Sequence, residues 1–151
     1  RPEPTAAVAT VIAIQSGGGA GDVDLLRRVF DRECAHFRGR PIACPEGRLL
    51  AAFDGPGRAV QCASSVISIA QQSRIAARAG VHIGEFDANC SDLPVAEAAA
   101  AISDAARPYE VSASRPVTDL LAGMGLAFDD RGQVTAPGSK ALGVFAVRQD
   151  P

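Results

Sequence analysis

The chain has 151 residues, 47% of them hydrophobic, which is enough for one α/β core and little more. Its 15 basic and 17 acidic residues nearly balance, with no Lys/Arg-rich run and no aromatic-basic interleaving, so no nucleic-acid footprint is present. No apolar stretch approaches the roughly 18 residues that cross a bilayer, and the start lacks the basic-then-apolar order of a signal peptide, so no membrane contact by this segment is expected. Cys34, Cys44, Cys62 and Cys90 include no CxxC pair, which argues against a zinc knuckle or a redox motif and for reduced thiols in a cytoplasmic setting. The opening Arg1-Pro2-Glu3-Pro4 reads as a flexible lead-in over residues 1–5. We read residues 1–151 as one domain excerpted from a longer protein.

Taken in order, Val8–Ile14 is continuously apolar apart from Thr10 and rich in β-branched residues, the pattern of a strand covered on both faces at the centre of a sheet. Gln15 closes this run. Ser16-Gly17-Gly18-Gly19-Ala20-Gly21 follows as a glycine loop, then Asp22 as an N-cap and an apolar stripe at Leu26, Val29, Phe30, Cys34 and Phe37 with helical spacing. Arg40–Cys44 and Leu49–Phe53 flank the turn-forming Pro45-Glu46-Gly47, which predicts a β-hairpin with Glu46 at its tip. Asp54-Gly55-Pro56-Gly57 introduces a second helix running to about Ala77, with Ala59, Val60, Ala63, Val66, Ile67 and Ala70 inward. Arg78–Ala88 predicts a strand, and the alanine-rich Pro94–Arg107 a third helix packed closely on the sheet. A short strand at Val111–Ser114, a short helix at Pro116–Ala122 and two last strands near Leu126–Asp130 and Leu142–Val147 complete the order β-α-β-β-α-β-α-β-α-β-β.

The residues that could carry chemistry also have structural readings. The loop at Gly17, Gly18 and Gly19 invites a phosphate, because backbone N–H groups at a helix start attract anions. It has no Lys-Ser/Thr and no third fingerprint glycine, and Asp22 and Asp24 oppose an anion there, so a flexible turn is the better reading. Glu46 is a candidate metal ligand, although one carboxylate makes a weak Mg²⁺ site. His82 alternates with Val81 and Ile83 and so points away from their face, as a structural histidine with no nucleophile beside it in sequence. Cys34 and His36 lie two apart on a helix and face different directions.

Four collinear segments resemble the class III nucleotidyl (adenylyl/guanylyl) cyclase catalytic domain. Ala51–Ala63 (AAFDGPGRAVQCA) is similar to the bacterial cyclase string ATFDGPARAIRCA, and Arg78–Glu85 (RAGVHIGE) to RAGLHTGE. Arg107–Ser114 (RPYEVSAS) is similar to RPGEVLVS, and Phe128–Gly132 (FDDRG) to FEDRG. The resemblance implies an α/β (α+β) ferredoxin-like sandwich with a central, mostly antiparallel sheet flanked by helices. It also implies a head-to-tail homodimer, or a heterodimer with another cyclase-type domain, with ATP or GTP and two metal ions at the interface, alongside flanking domains of the chain's own larger protein.

Position by position, the resemblance also implies a dismantled site. Gln15 stands where the family has the metal-binding aspartate of "FTD", and a neutral amide cannot bridge two Mg²⁺ ions as a carboxylate does. Glu46 stands for the second aspartate and is the only metal-ligand candidate that remains. The base-recognising lysine falls near Ala43 and the other base-selecting acidic position at Asp92, while Lys140 is loosely placed for the lysine of "LKG". Counting back from Arg107-Pro108 puts Glu97 and Ala101 at the Asn and Arg of "VNIAAR", the pair that orients ribose and stabilises the transition state. Each lost transition-state donor is worth about 2.7–4 kcal/mol. The resemblance thus implies a degenerate cyclase with a regulatory, dimerisation or ligand-sensing role in a larger bacterial protein, and no cofactor. The alternative is an active or weakly active cyclase using Mg²⁺ or Mn²⁺ on Glu46, with Asp54 or Asp87 as an unorthodox second ligand.

Overall fold

Ala7–Ser16 forms strand β1 at the heart of a seven-stranded sheet, where its β-branched run is covered from both sides. The computed structural model describes residues 7–42, 48–86, 94–136 and 140–149. After β1 come α1 (Ala20–Phe37), β2 (Arg40–Ile42), β3 (Arg48–Phe53), α2 (Pro56–Gln72) and β4 (Ala77–Phe86). Then follow α3 (Pro94–Ala105), β5 (Val111–Ser114), α4 (Arg115–Leu120), β6 (Leu126–Thr135) and β7 (Ala141–Gln149). The sheet order is β2-β3-β1-β4-β5-β7-β6, with every adjacent pair antiparallel except β4 and β5.

Two cores lie on opposite faces of this sheet. Even-numbered β1 residues Ile12 and Ile14 join Leu49, Ala51 and Phe53 of β3 beneath α1 and α2, with Val117 and Leu121 of the α4 region on the same side. Odd-numbered Val11 and Ala13 join Leu50 and Ala52 beneath Val95, Ala96, Ala99 and Ala100 of α3. The strand alternation thus decides which neighbour each residue meets. Alanines on α3 bring the helix backbone close to β4, and Gly80 is where the two touch: a Cβ there would overlap the Ala99 carbonyl oxygen and the Ser103 amide nitrogen.

Several boundaries differ from the sequence reading, three of them for reasons visible in the backbone. The N-cap of α1 is Gly19 rather than Asp22, which lies inside the first turn, where its carboxylate favours the positive end of the helix. The second helix stops at Gln72 instead of about Ala77, because Arg74 adopts φ 59° and the Ile75 amide donates back to the Ala70 carbonyl. β6 extends to Thr135, past a register shift between Asp130 and Gln133 where Gly132 takes φ 88°.

Candidate functional site

The end of β1 carries Gln15 into a row of three side chains on neighbouring strands. Antiparallel pairing sets Gln15 opposite Arg48 of β3 on one side and opposite Arg78 of β4 on the other. Alternation puts all three on the α3 face, where directly opposed side chains have Cβ atoms about 5 Å apart. Both arginines reach the C-terminal end of α3. Arg48 Nη2 donates to Asp104 Oδ1 and Oδ2 at 2.8 and 2.9 Å, tying β3 to the helix. Arg78 Nη1 donates to the carbonyls of Asp104 at 3.2 Å and Ala106 at 3.1 Å, satisfying acceptors that a helix end leaves open. Gln15 lies between them half-buried, its Oε1 shielded from solvent and accepting no hydrogen bond.

No protein-family model and no curated protein sequence matches this chain. Solved structures do match over nearly its whole length. An adenylate/guanylate cyclase/hydrolase from Silicibacter pomeroyi aligns at a TM-score of 0.81 and 19% identity, covering 97% of this chain and 98% of that one. The guanylate cyclase domain of RhGC from Catenaria anguillulae, solved in complex with GTP, aligns at 0.78 and 13% identity over 95% and 97%. A non-canonical dimeric guanylyl cyclase domain of the RhoGC fusion protein from the aquatic fungus Blastocladiella emersonii aligns at 0.77 and 12% identity over 98% and 100%. This chain has the fold of a class III nucleotidyl cyclase catalytic domain.

Within that cyclase fold, Gln15, Glu97 and Ala101 lie on the α3 side of the sheet, whereas Asp54 and Lys140 do not join them. Glu97 is exposed and Ala101 half-buried on α3, and with Asp104 they follow i, i+4, i+7 spacing and so share one side of the helix. Of these, only Asp104 is in contact with the Arg48–Gln15–Arg78 row, through Arg48 and Arg78. Ala43, Glu46, Asp87 and Asp92 lie outside the described residues. Asp54, the unorthodox ligand candidate, follows Phe53 at the far end of β3, and Phe53 pairs with Thr10 where Arg48 pairs with Gln15. Strand geometry separates those ends by about 17 Å. Asp54 instead pairs with Arg40 at 3.3 Å, so it cannot share an ion with position 15. Lys140 is exposed just before β7, which is separated from β1 by β4 and β5 in the sheet.

The glycine loop is committed to structure. The Gly17 amide donates to the Ala76 carbonyl at 2.9 Å and the Gly18 amide to Ser16 Oγ at 3.2 Å. Gly18 leaves room for the Asp22 side chain, which a Cβ at that position would hit. Two of the three amides are therefore spent, and a carboxylate stands beside them, which suits a turn better than a phosphate cradle.

The described part of the cleft places two guanidinium groups beside position 15. Among the described residues no group of three or more His, Cys, Asp or Glu side chains converges. At an effective dielectric of about 20, a doubly charged ion ~6 Å from one guanidinium is disfavoured by roughly 5 kcal/mol. Among the described residues Asp104 offsets one of the two positive charges, and its carboxylate is held by Arg48. Sequence reasoning found Gln15 but missed Arg48 and Asp104, which lie 56 residues apart and meet only once α3 docks. Arg78 was visible inside the RAGVHIGE motif, where nothing marked it as capping a helix.

His82 faces away from Val81 and Ile83, as its alternation predicts, and its Nδ1 lies 2.7 Å from Ser114 Oγ. Ser114 is fully buried, so the pair offers no accessible nucleophile. Burial holds the imidazole below its ordinary value of 6.5, so the unfolded chain takes up the proton first as pH falls. The contribution of neutral His82 to stability is complete above pH 6.5 and is lost as pH falls through the lower folded-state value. A melting-temperature profile of wild type is expected to decline more steeply below pH 6.5 than that of His82→Gln; parallel profiles would refute this assignment.

Proposed function

We propose that this domain is a catalytically degenerate nucleotidyl cyclase fold that serves a larger bacterial protein as a dimerisation, regulatory or ligand-sensing module. The observation that carries this reading is the Arg48–Gln15–Arg78 row. It puts a neutral amide, flanked by two guanidinium groups, where metal-dependent cyclisation needs the first of two carboxylates, and the Arg48–Asp104 ion pair ties the sheet to the helix beside it. Ala101 supplies no charged donor for a transferring phosphoryl group, and Glu97 adds repulsion. Such losses act together and put any residual rate many orders of magnitude down.

The similar Blastocladiella emersonii domain is a non-canonical dimer, which supports an assembly role for this fold. A homodimer would repeat the altered cleft twice. A heterodimer with an intact cyclase-type domain would leave the partner's half-site to do the chemistry, with this chain acting as its regulator.

Metal occupancy tests the reading. Mn²⁺ titrated into the purified protein, with and without ATP, is expected to give the electron paramagnetic resonance amplitude of protein-free controls. Stoichiometric loss of the free-ion signal that disappears in Glu46→Ala would overturn the proposal.

A further inference from the structure

A concavity on the opposite side of the molecule from the Gln15 row has the features of a small-ligand site. It lies on the α1/α2 face, between α2, the end of α1 and the segment joining α4 to β6, with a volume of about 610 Å³. Ligand pockets for small molecules span roughly 300–1,000 Å³ and combine apolar walls with a few polar groups that set orientation. One wall is apolar: Phe37, Leu121 and Leu126 line it, with Met124 63% exposed at the mouth. A solvent-facing methionine is a deformable surface that adapts to an apolar body. The facing wall is α2, which presents Gln61, Ser64 and Ser68 along one side of the helix.

Those three polar groups are available. Ser65, their neighbour, is engaged, its Oγ donating to Glu33 Oε1 at 2.6 Å, and the other Glu33 oxygen accepts from Arg32. No side-chain hydrogen bond engages Gln61, Ser64 or Ser68 among the described residues. The described lining contains no ionisable side chain. A charged ligand would be desolvated there with the one carboxylate behind this wall, Glu33, already held by Ser65 and Arg32, whereas an uncharged one with a hydrogen-bonding edge loses nothing it cannot recover.

We propose that this groove binds an uncharged, ring-sized small molecule, whose amide- or hydroxyl-bearing edge meets Gln61, Ser64 and Ser68 and whose apolar face rests on Phe37, Leu121, Met124 and Leu126. The site does not depend on the state of the cleft, so it stands or falls separately from the degenerate-cyclase reading. It would give a ligand-sensing role a physical seat on a face remote from that cleft.

The probe is 2-quinolinone, a neutral bicyclic lactam, followed by ¹H–¹⁵N spectra of the full chain, with 1-methylquinolinium as a cation of similar shape. Saturable shifts centred on Ser64, Ser68, Met124 and Gly125 are expected, with a dissociation constant of about 1 mM or tighter. The quinolinium ion is expected to bind at least about tenfold more weakly. Ser64→Phe, which fills the groove, is expected to abolish the lactam shifts while leaving the remaining spectrum in place. Should Ser64→Phe fail to fold, Ser68→Phe at the exposed rim makes the same test. Shifts that do not saturate, shifts located elsewhere, equal affinity for the cation, or indifference to the blocking variant would each overturn the proposal.

Discussion

Gly80→Ala is expected to lower stability by about 3 kcal/mol or more, at the upper end of the range for overpacked cores. The added methyl meets backbone atoms of α3, the Ala99 carbonyl oxygen and the Ser103 amide, so no side-chain rotation relieves it and the helix must lift from β4. For a domain of this length that corresponds to a fall in melting temperature of roughly 6–12 °C. The consequence extends to the cleft, because Asp104 reaches Arg48 only when α3 is seated. Gly21→Ala is the control. It lies within α1 with open space around its Cβ position, so alanine is expected to leave stability unchanged or raise it by up to about 1 kcal/mol. Denaturant unfolding of both variants checks the pair, and equal effects would show that helix-sheet contact at Gly80 is not the cause.

The second large effect concerns charge at the cleft. Gln15→Asp alone is expected to bind no metal, because the new carboxylate stands directly between Arg48 and Arg78 and pairs with them. Combining it with Arg48→Gly is expected to create divalent-cation binding, since Asp104 is released from its ion pair and two carboxylates then border the same gap. At tenfold excess over the dissociation constant, Mn²⁺ should stabilise the double variant by about 1.4 kcal/mol. That is a rise of roughly 3–6 °C. Comparison within each variant, with and without Mn²⁺, removes the cost of losing Arg48, and Arg48→Gly alone completes the set. Mn²⁺ stabilisation of the single Gln15→Asp variant, or of neither variant, would show that the arginine row is not what excludes the ion.

Much of the architecture is legible in the chain because it rests on local periodicity. The apolar run from Val8 to Ile14, the helical stripe from Leu26 to Phe37 and the alanines of α3 each declare their element, and the element order follows. Boundaries were less legible where one residue's backbone decides them: nothing in the residue type of Arg74 announces a left-handed conformation that ends α2. At the site, Gln15 was visible because it closes an apolar strand at a position where the resemblance expects an acid. The ion pair that accompanies it was not. Arg48 begins one strand and Asp104 ends a distant helix, and opposite charges at that separation carry no periodic signal. The serine wall of α2 was hidden for a related reason. Its apolar stripe marks the buried side, while Gln61, Ser64 and Ser68 gain meaning only from the α4–β6 segment folded against them.

We propose that a cyclase scaffold persists here without two-metal chemistry. The most direct test is product formation. Purified wild-type protein incubated with ATP and, separately, with GTP in the presence of Mn²⁺, and analysed by mass spectrometry for the cyclic nucleotides, is expected to yield none above protein-free controls. Sustained formation of either cyclic nucleotide, abolished by Glu46→Ala, would contradict the account.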